Sequence, residues 1–415
     1  MCNNPSRIGS LAWAAATHDT AARSTHVSFL ANMIRICHTP EARMQATRPF
    51  LVYRDRVGVR SEINFLRRQY TGFTRLHPVW TGRVLLPDAA RVGDSLLRLG
   101  GDGPTGCLRR FGFRHLGYVP PLALAGSVPI LHAQFARGGA LALPLARALR
   151  LRMVVTVHGG DVSKQKNWRG TVLARRWPAL IRATNRFVCV SVAVAELAAR
   201  RGVPAAKLAV LPIGVEVFEP PPARFPVGHL FVGRFVEKKG IAILADAVRQ
   251  LRASGDMTPI TCVGDGPLRP VLEILAGDVT NVTLTGWLPA EAVRDQMRQA
   301  VSILVPSVTA ENGDAEGLPS VVPEAMVQGC PVIGSNQGGI AEAIRHDQTG
   351  LLIHPGNADA LAAAMQRIIH EPGLQAALSA AGYAYAAKEL NAKSQSEKLE
   401  TLLLAVLNEG PNAGG

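Results

Sequence analysis

Residues 306–339 read PSVTAENGDAEGLPSVVPEAMVQGCPVIGSNQGG. They follow VSILVP (301–306), a continuous apolar run of the length of a strand buried on both faces. The polar, glycine-containing segment to Asp314 then reads as a loop. A helix is expected to start near Leu318. Pro319 suits its first turn, where a missing N–H costs nothing, and Pro323 must lie within about that turn or kink the helix. Gly329 is expected to end it. On this reading Glu316 lies in the loop ahead of the helix. Glu324 lies one to two turns in and points back toward the helix N-terminus. Between them lie the N–H groups of the stretch from Gly317 through Leu318 and Pro319 to Ser320. Free amides at the positive end of a helix dipole form an anion site, and carboxylates beside it can accept hydrogen bonds from hydroxyls of the same ligand. A sugar nucleotide offers both groups, although two acids eight residues apart are by themselves an ordinary solvated face.

The strand–helix alternation extends in both directions. Downstream of residue 228, HLFVGR, TPITCVGDGP, VTLTG, VSILVP, PVIGS and GLLIH are separated by single amphipathic segments of helical length. Upstream, strands are expected at 50–55, 129–134, 153–158, 186–191 and 208–212, with helices at 61–69, 139–148, 170–183 and 192–201. Such alternation indicates βαβ units and parallel sheets. Residues 71–128 are poorly patterned. The proline-rich VFEPPPARFPVG (217–228) reads as a linker between two α/β domains. Helices are expected at 359–370, at 376–388 (short) and at 392–407. Residues 1–47 lack sustained periodicity and read as a disordered or non-native extension, a transit peptide, or a start set upstream of Met44.

At 415 residues the chain exceeds one ordinary core, and two to three domains are expected. No stretch approaches the roughly 18 apolar residues needed to span a bilayer. The six cysteines are scattered with no CxxC or Cys/His cluster, which fits a reducing cytoplasm and signals no metal site. Charge is divided unequally. Residues 1–225 hold 32 Lys+Arg against 11 Asp+Glu, a surplus of +21, whereas residues 226–415 hold 13 against 20, or −7. The first half is therefore expected to meet something anionic, and the membrane surface fits best, with Arg67, Arg68, Arg91, Arg98, Arg109, Arg110 and Arg114 as contributors. Dispersed basic residues, 5% aromatics and the absence of nucleic-acid-binding motifs speak against nucleic acid.

Four spaced motifs carry a resemblance. EGLPSVVPEAMVQGCPVIGSNQGG resembles the donor-site signature of the retaining glycosyltransferases of family 4, VTVHGGDVS resembles its HGxD, FVGRFVEKKG its GR…KG, and CVGDGPLR its nucleotide-bordering loop. YRDRVGVRSEINFLRRQ and LHAQFARGGALALPLARAL resemble segments of the bacterial exopolysaccharide (colanic-acid-type) members. The resemblance covers about residues 48–408. It implies the α/β GT-B fold: two Rossmann-like doubly wound domains facing across a cleft, the terminal helix crossing back to the first. The acceptor-binding domain is then 48–217 plus 392–408, and the nucleotide-sugar domain 226–391.

The resemblance also implies a sugar transfer from a nucleotide-diphosphate sugar to a lipid-linked or polysaccharide acceptor. His158 and Glu316 are placed at the donor sugar and Glu324 at the ribose. Gly233, Arg234, Lys239, Gly266, Gly317, Leu318 and Pro319 surround the rest of the donor, with Arg234 and Lys239 on the diphosphate and Lys238 a solvated neighbour. Ser61, Glu62, Gln134 and Asp161 fall on the acceptor side, Gln134 facing the cleft and Asp161 orienting its loop. No metal or cofactor is expected, because Asn312-Gly313-Asp314 starts with an amide and basic residues replace the divalent ion. A nucleotide-sugar epimerase and a non-catalytic nucleotide-sugar-binding protein are the competing readings.

Overall fold

The structure is a computed structural model that describes residues 47–101, 103–115, 128–164, 168–218 and 226–409. The expectations for the first 46 residues lie outside these, as do those for residues 116–127 and most of the linker. From Thr47 onward the chain is one compact unit.

Its first half runs β1 (Arg48–Tyr53), β2 (Arg56–Val57), α1 (Ile63–Arg68), β3 (Leu76–Gly82), β4 (Val84–Leu85), β5 (Leu96–Arg98), α2 (Gly103–His115), β6 (Ile130–Gln134), α3 (Ala136–Ala148), β7 (Arg152–Val157), α4 (Gly160–Ser163), α5 (Val172–Ala183), β8 (Arg186–Cys189), α6 (Val192–Arg200) and β9 (Leu208–Val210). All the strands but β2 and β4 form one sheet in the order β5-β3-β1-β6-β7-β8-β9, with every pairing parallel. The order reverses at β1 and β6, the kind of switch point outside which open α/β sheets bind ligands.

The second half runs β10 (His229–Val232), α7 (Ile241–Ala253), β11 (Ile260–Val263), α8 (Arg269–Asp278), β12 (Val282–Gly286), α9 (Ala290–Gln299), β13 (Ser302–Val305), α10 (Val321–Met326), β14 (Val332–Ser335), α11 (Gly338–Ala343), β15 (Leu351–Ile353), α12 (Ala358–His370), α13 (Leu374–Glu389) and α14 (Ala392–Asn408). Its parallel sheet has the order β12-β11-β10-β13-β14-β15 and a second switch point between β10 and β13. Both sheets are covered by helices and have buried apolar strands, as parallel sheets require.

Three sequence expectations are corrected. The stretch read as poorly patterned holds β3, β5 and α2. β3 (LHPVWTG) was illegible because Pro78 interrupts it, yet β5 pairs only from Trp80 onward, so at Pro78 the strand is bonded on the β1 side alone. The helix expected to start at Ser61 starts at Ile63, after Glu62, with no side-chain cap. The helix expected to be short is α13, which spans 16 residues.

The last helix returns to the first lobe. Leu399, Leu403 and Val406 belong to that lobe's apolar core. The buried Glu400 carboxylate accepts from the amides of Thr74, Arg75 and Leu76, at 2.7 to 3.2 Å. These bonds compensate the desolvation of an otherwise costly buried charge.

Candidate active site between the two lobes

The loop after β13 is packed against the turn after β10. Gly240 ends that turn at φ 71°, and a Cβ there would fall 1.8 Å from the carbonyl oxygen of Pro306, so only glycine permits the approach. The approach brings Lys238 and Lys239 onto the acidic loop. Lys239 Nζ is 3.2 Å and Lys238 Nζ 3.3 Å from Glu316 Oε1. Lys238 also lies 3.3 Å from Asp314, which in turn takes Lys164 of the first lobe at 2.8 Å. Burial alone would raise the Glu316 pKa, but the Lys239 and Lys238 ammoniums outweigh it and hold the carboxyl below its ordinary range. Glu316 is thus an ionised carboxylate in a nearly dry site. Lys238, expected to be solvated, is instead part of this cluster, its side chain 12% exposed. Arg234 is exposed and makes no ion pair among the described residues.

Facing this loop is the end of β7. A Cβ on Gly317 would lie 2.4 Å from the carbonyl oxygen of His158, one on Gly159 2.7 Å from the Gly317 nitrogen, and one on Gly160 2.5 Å from Asp314 Oδ1. The HGGD and EG glycines therefore let backbone meet backbone across the lobe boundary. Asp161 accepts from the amides of His158 (2.9 Å) and Ala136 (2.7 Å), which ties the β7 loop to the head of α3. Burial pushes its carboxyl upward despite these bonds. The imidazole of His158 lies against Phe135 and Phe65, and its pKa is lowered to about 3, first by burial and then by the Arg54 charge and His132.

Gln134, expected to face the cleft, is fully buried, because it ends a strand covered on both faces; it is bonded to His158 at 3.0 Å. Glu62 is held by Arg54 at 2.7 and 2.8 Å, and Ser61 is exposed.

Helix α10 begins at Val321, three residues later than expected, because Pro319 and Leu318 complete the loop. Glu324 consequently lies in the first turn rather than beyond it. Its Oε1 is 2.6 Å from Nη1 of Arg68 on α1 of the first lobe. Arg68, expected among the membrane-facing arginines, is buried at this contact. Gly339 donates to the carbonyl of Gly317 at 2.6 Å, so the paired glycines of NQGG support the acidic loop. Gly264 and Gly266 pack on the Gly233–Phe235 backbone, where a Cβ would fall 1.9 and 2.5 Å from carbonyl oxygens, and the Lys239 stem lies beside Gly233. No metal-holding group of His, Cys, Asp or Glu is found among the described residues.

Sequence profiles match both lobes: the family described as Glycosyltransferase Family 4 over residues 88–217, and Glycosyl transferases group 1 over residues 227–371. The putative colanic acid biosynthesis glycosyltransferase WcaL of Salmonella typhimurium is 30% identical over 66% of this chain and 70% of its own length. The chain belongs to glycosyltransferase family 4.

The amylovoran biosynthesis glycosyltransferase AmsK of Erwinia amylovora is 32% identical over 60% of this chain. The match spans 64% of AmsK, less than two thirds of its length. The GDP-mannose-dependent alpha-(1-6)-phosphatidylinositol monomannoside mannosyltransferase of Mycolicibacterium smegmatis is 30% identical over 68% of this chain and 78% of its own. Anabaena Alr3699/HepE, solved in complex with UDP and glucose, superposes with a TM-score of 0.68 at 17% identity, covering 86% of this chain and all of that one. Sucrose-phosphate synthase from Thermosynechococcus elongatus gives 0.66 at 22% identity, over 86% and 99% of the two chains. The fold is GT-B.

The family motifs pointed to Glu316, Glu324, Lys239 and His158. They did not point to the pairs across the lobe boundary, Lys164–Asp314 and Arg68–Glu324, whose members are 150 (314 − 164) and 256 positions apart in the chain. No local pattern carries such pairings. The one available signal was the charge run at Lys238-Lys239, where both lysines proved to be structural to the site.

Proposed function

We propose that this family-4 chain is a retaining hexosyltransferase that moves a sugar from a nucleotide-diphosphate donor to a lipid-linked or polysaccharide acceptor. The observation that carries the reading is the buried, ionised Glu316, neutralised by Lys238 and Lys239 and packed through Gly317 against the His158 loop of the other lobe. A fixed carboxylate in a dry cleft orients sugar hydroxyls. Cations beside it, Lys239 and the unpaired Arg234, offset the charge that builds on a departing diphosphate. In this reading Glu324, in the first turn of α10, takes the ribose hydroxyls.

In this reaction the anomeric carbon–oxygen bond to the diphosphate breaks while the acceptor oxygen bonds to the same face of the sugar. The acceptor proton passes to the leaving phosphate oxygen, so no protein nucleophile is needed. With the counter-charge supplied by side chains, turnover is expected to persist in chelator. Relatives named for amylovoran and colanic acid biosynthesis, and for a phosphatidylinositol monomannoside acceptor, support the acceptor class.

Docking at the cytoplasmic face of an anionic membrane is part of the same reading. No described helix is long and apolar enough to cross a membrane. In the basic first lobe, Leu108 (73%) and Phe111 (56%) are exposed on α2 beside exposed Arg109, and Arg147 and Arg175 line an open groove between α3 and α5. Of the other expected contributors, Arg91 is exposed, Arg67 pairs with Glu216, and the Arg114 side chain lies outside the described residues. The test is thermal stabilisation by a panel of nucleotide sugars, followed by transfer to a polyprenyl-diphosphate-linked glycan with product stereochemistry read by NMR. Stabilisation by none of them, an inverted product, or turnover without acceptor overturns the reading. Vesicle binding should require anionic lipid and weaken with salt as the Debye length shrinks from about 8 Å.

A further inference from the structure

Consecutive residues of an extended strand point to opposite faces of the sheet. Gln134, the last residue of β6, and Phe135, the next, nevertheless both touch the imidazole of His158. Gln134 Oε1 is 3.0 Å from His158 Nε2, and the Phe135 and His158 ring centroids are 4.2 Å apart with planes 36° from parallel. The alternation is broken at Phe135 itself, which adopts φ 67° and ψ 147°, a backbone region occupied almost only by glycine.

Its surroundings enforce that conformation. The Phe135 amide donates to Thr156 at 2.8 Å, its carbonyl accepts from Gly139 at 3.0 Å to open α3, and the following amide is taken by Asp161. The conformation so held places the ring against His158, with the Arg54 guanidinium 4.4 Å over it.

Gln134 acts on the other side of the same histidine. Its amide nitrogen donates to Gln69 Oε1 (3.0 Å) and to the Tyr70 hydroxyl (2.7 Å), which continues to His132 Nδ1 (2.9 Å); His132 Nε2 meets Thr156 at 2.7 Å. With both amide hydrogens committed to Gln69 and Tyr70, the Gln134 atom that faces His158 is the Oε1 acceptor, and this assignment puts the histidine proton on Nε2. No partner of Nδ1 is found among the described residues.

We propose that Gln134 and Phe135 are positioning residues that fix His158 as its Nε2–H tautomer, so that Nδ1 accepts a hydrogen bond from a hydroxyl of a sugar substrate. The hydroxyl rests on the function proposed above. The tautomer and the backbone strain do not, and they are measured without substrate.

In protein labelled with 15N-histidine, the resonances lost in His158→Gln should report an Nε2–H imidazole. Gln134→Met, which keeps the volume and removes the acceptor, should give mixed tautomers and a kcat/KM lower by about tenfold or more, with nucleotide affinity unchanged. Gln134→Glu should restore the Nε2–H tautomer. Phe135→Gly should melt above Phe135→Ala, because it relieves the strain that alanine retains, while both lose turnover. An Nδ1–H signal in the parent protein, which would mean that the hydrogen-bond chain runs in the opposite sense, overturns the proposal. So does an unchanged spectrum in Gln134→Met, or a glycine variant that melts no higher than the alanine one. If the spectra and melts behave as expected but no nucleotide sugar is turned over, the transferase reading fails and the positioning of His158 stands.

Discussion

Glu316 and Glu324 stand eight residues apart on one loop-and-helix unit, and they are neutralised from opposite lobes. The partners of Glu316 are Lys238 and Lys239, on the turn after β10 in the same lobe. The partner of Glu324 is Arg68 on α1 of the first lobe. The first carboxylate is therefore assembled by one domain folding on itself. The second is paired across the lobe boundary. Asp314 combines both situations, with Lys238 on one side and Lys164 of the first lobe on the other.

Breaking the first arrangement should have the largest effect. Glu316→Gln removes a fixed charge from the cleft and leaves the two lysines short of a counterion. Transfer should fall by on the order of 10²–10³-fold, and denaturant titration should show a loss of about 3 kcal/mol, as for one partner removed from a buried pair. Nucleotide affinity should hold. Equal turnover in the variant would remove Glu316 from the site.

Glu324→Gln should instead weaken nucleotide binding by roughly ten- to a hundredfold, the loss of a charge-assisted hydrogen bond. The comparison sharpens with Arg68→Ala. If the pair couples the lobes, a double-mutant cycle on nucleotide affinity should give an interaction energy of about 0.5–3 kcal/mol, whereas Lys239→Ala combined with Arg68→Ala should be additive. Additivity in both cycles would make the ion pair incidental.

Acid should destabilise both lobes. His132 and His158 in the first lobe are lowered to about 3 and His229 in the second to about 4, in each case chiefly by burial. Against an unfolded value of about 6.5, the folded chain binds fewer protons than the unfolded one between pH 6.5 and these values. Their stabilisation is present above pH 6.5 and is lost as pH falls through that window. Melting temperature should decline from pH 7 toward 4, and His132→Gln should flatten the decline more than a surface His370→Gln. Transfer should show no limb near pH 6.5 from His158.

The smallest effect belongs to the residue next to Arg68. Arg67 pairs with Glu216 at 3.2 Å, but its side chain is 54% exposed and screened. Arg67→Ala should change stability by no more than about 1 kcal/mol, and a larger loss would mean that exposure is a poor guide at this lobe boundary.

The sequence by itself determined the second lobe almost strand for strand, since VSILVP, PVIGS and GLLIH are buried on both faces and announce it as continuous apolar runs. It also determined which short stretches carry chemistry, because glycine and paired charges at strand ends follow from backbone and charge requirements that are local. In the first lobe β3 stayed hidden, for a proline is tolerated there only because β5 is too short to pair beside it, and the length of a neighbouring strand is not written in LHPVWTG. What only the tertiary structure decided is which charges meet. Lys238 changed from solvent to site, Arg68 from surface to Glu324, and Gln134 from cleft to the back of His158. The local spacing of a charge fixes the direction it leaves its own helix or strand. Its pKa, hydration and partner are fixed by groups 24 to 256 residues away, brought within 4 Å when strands and loops pack together.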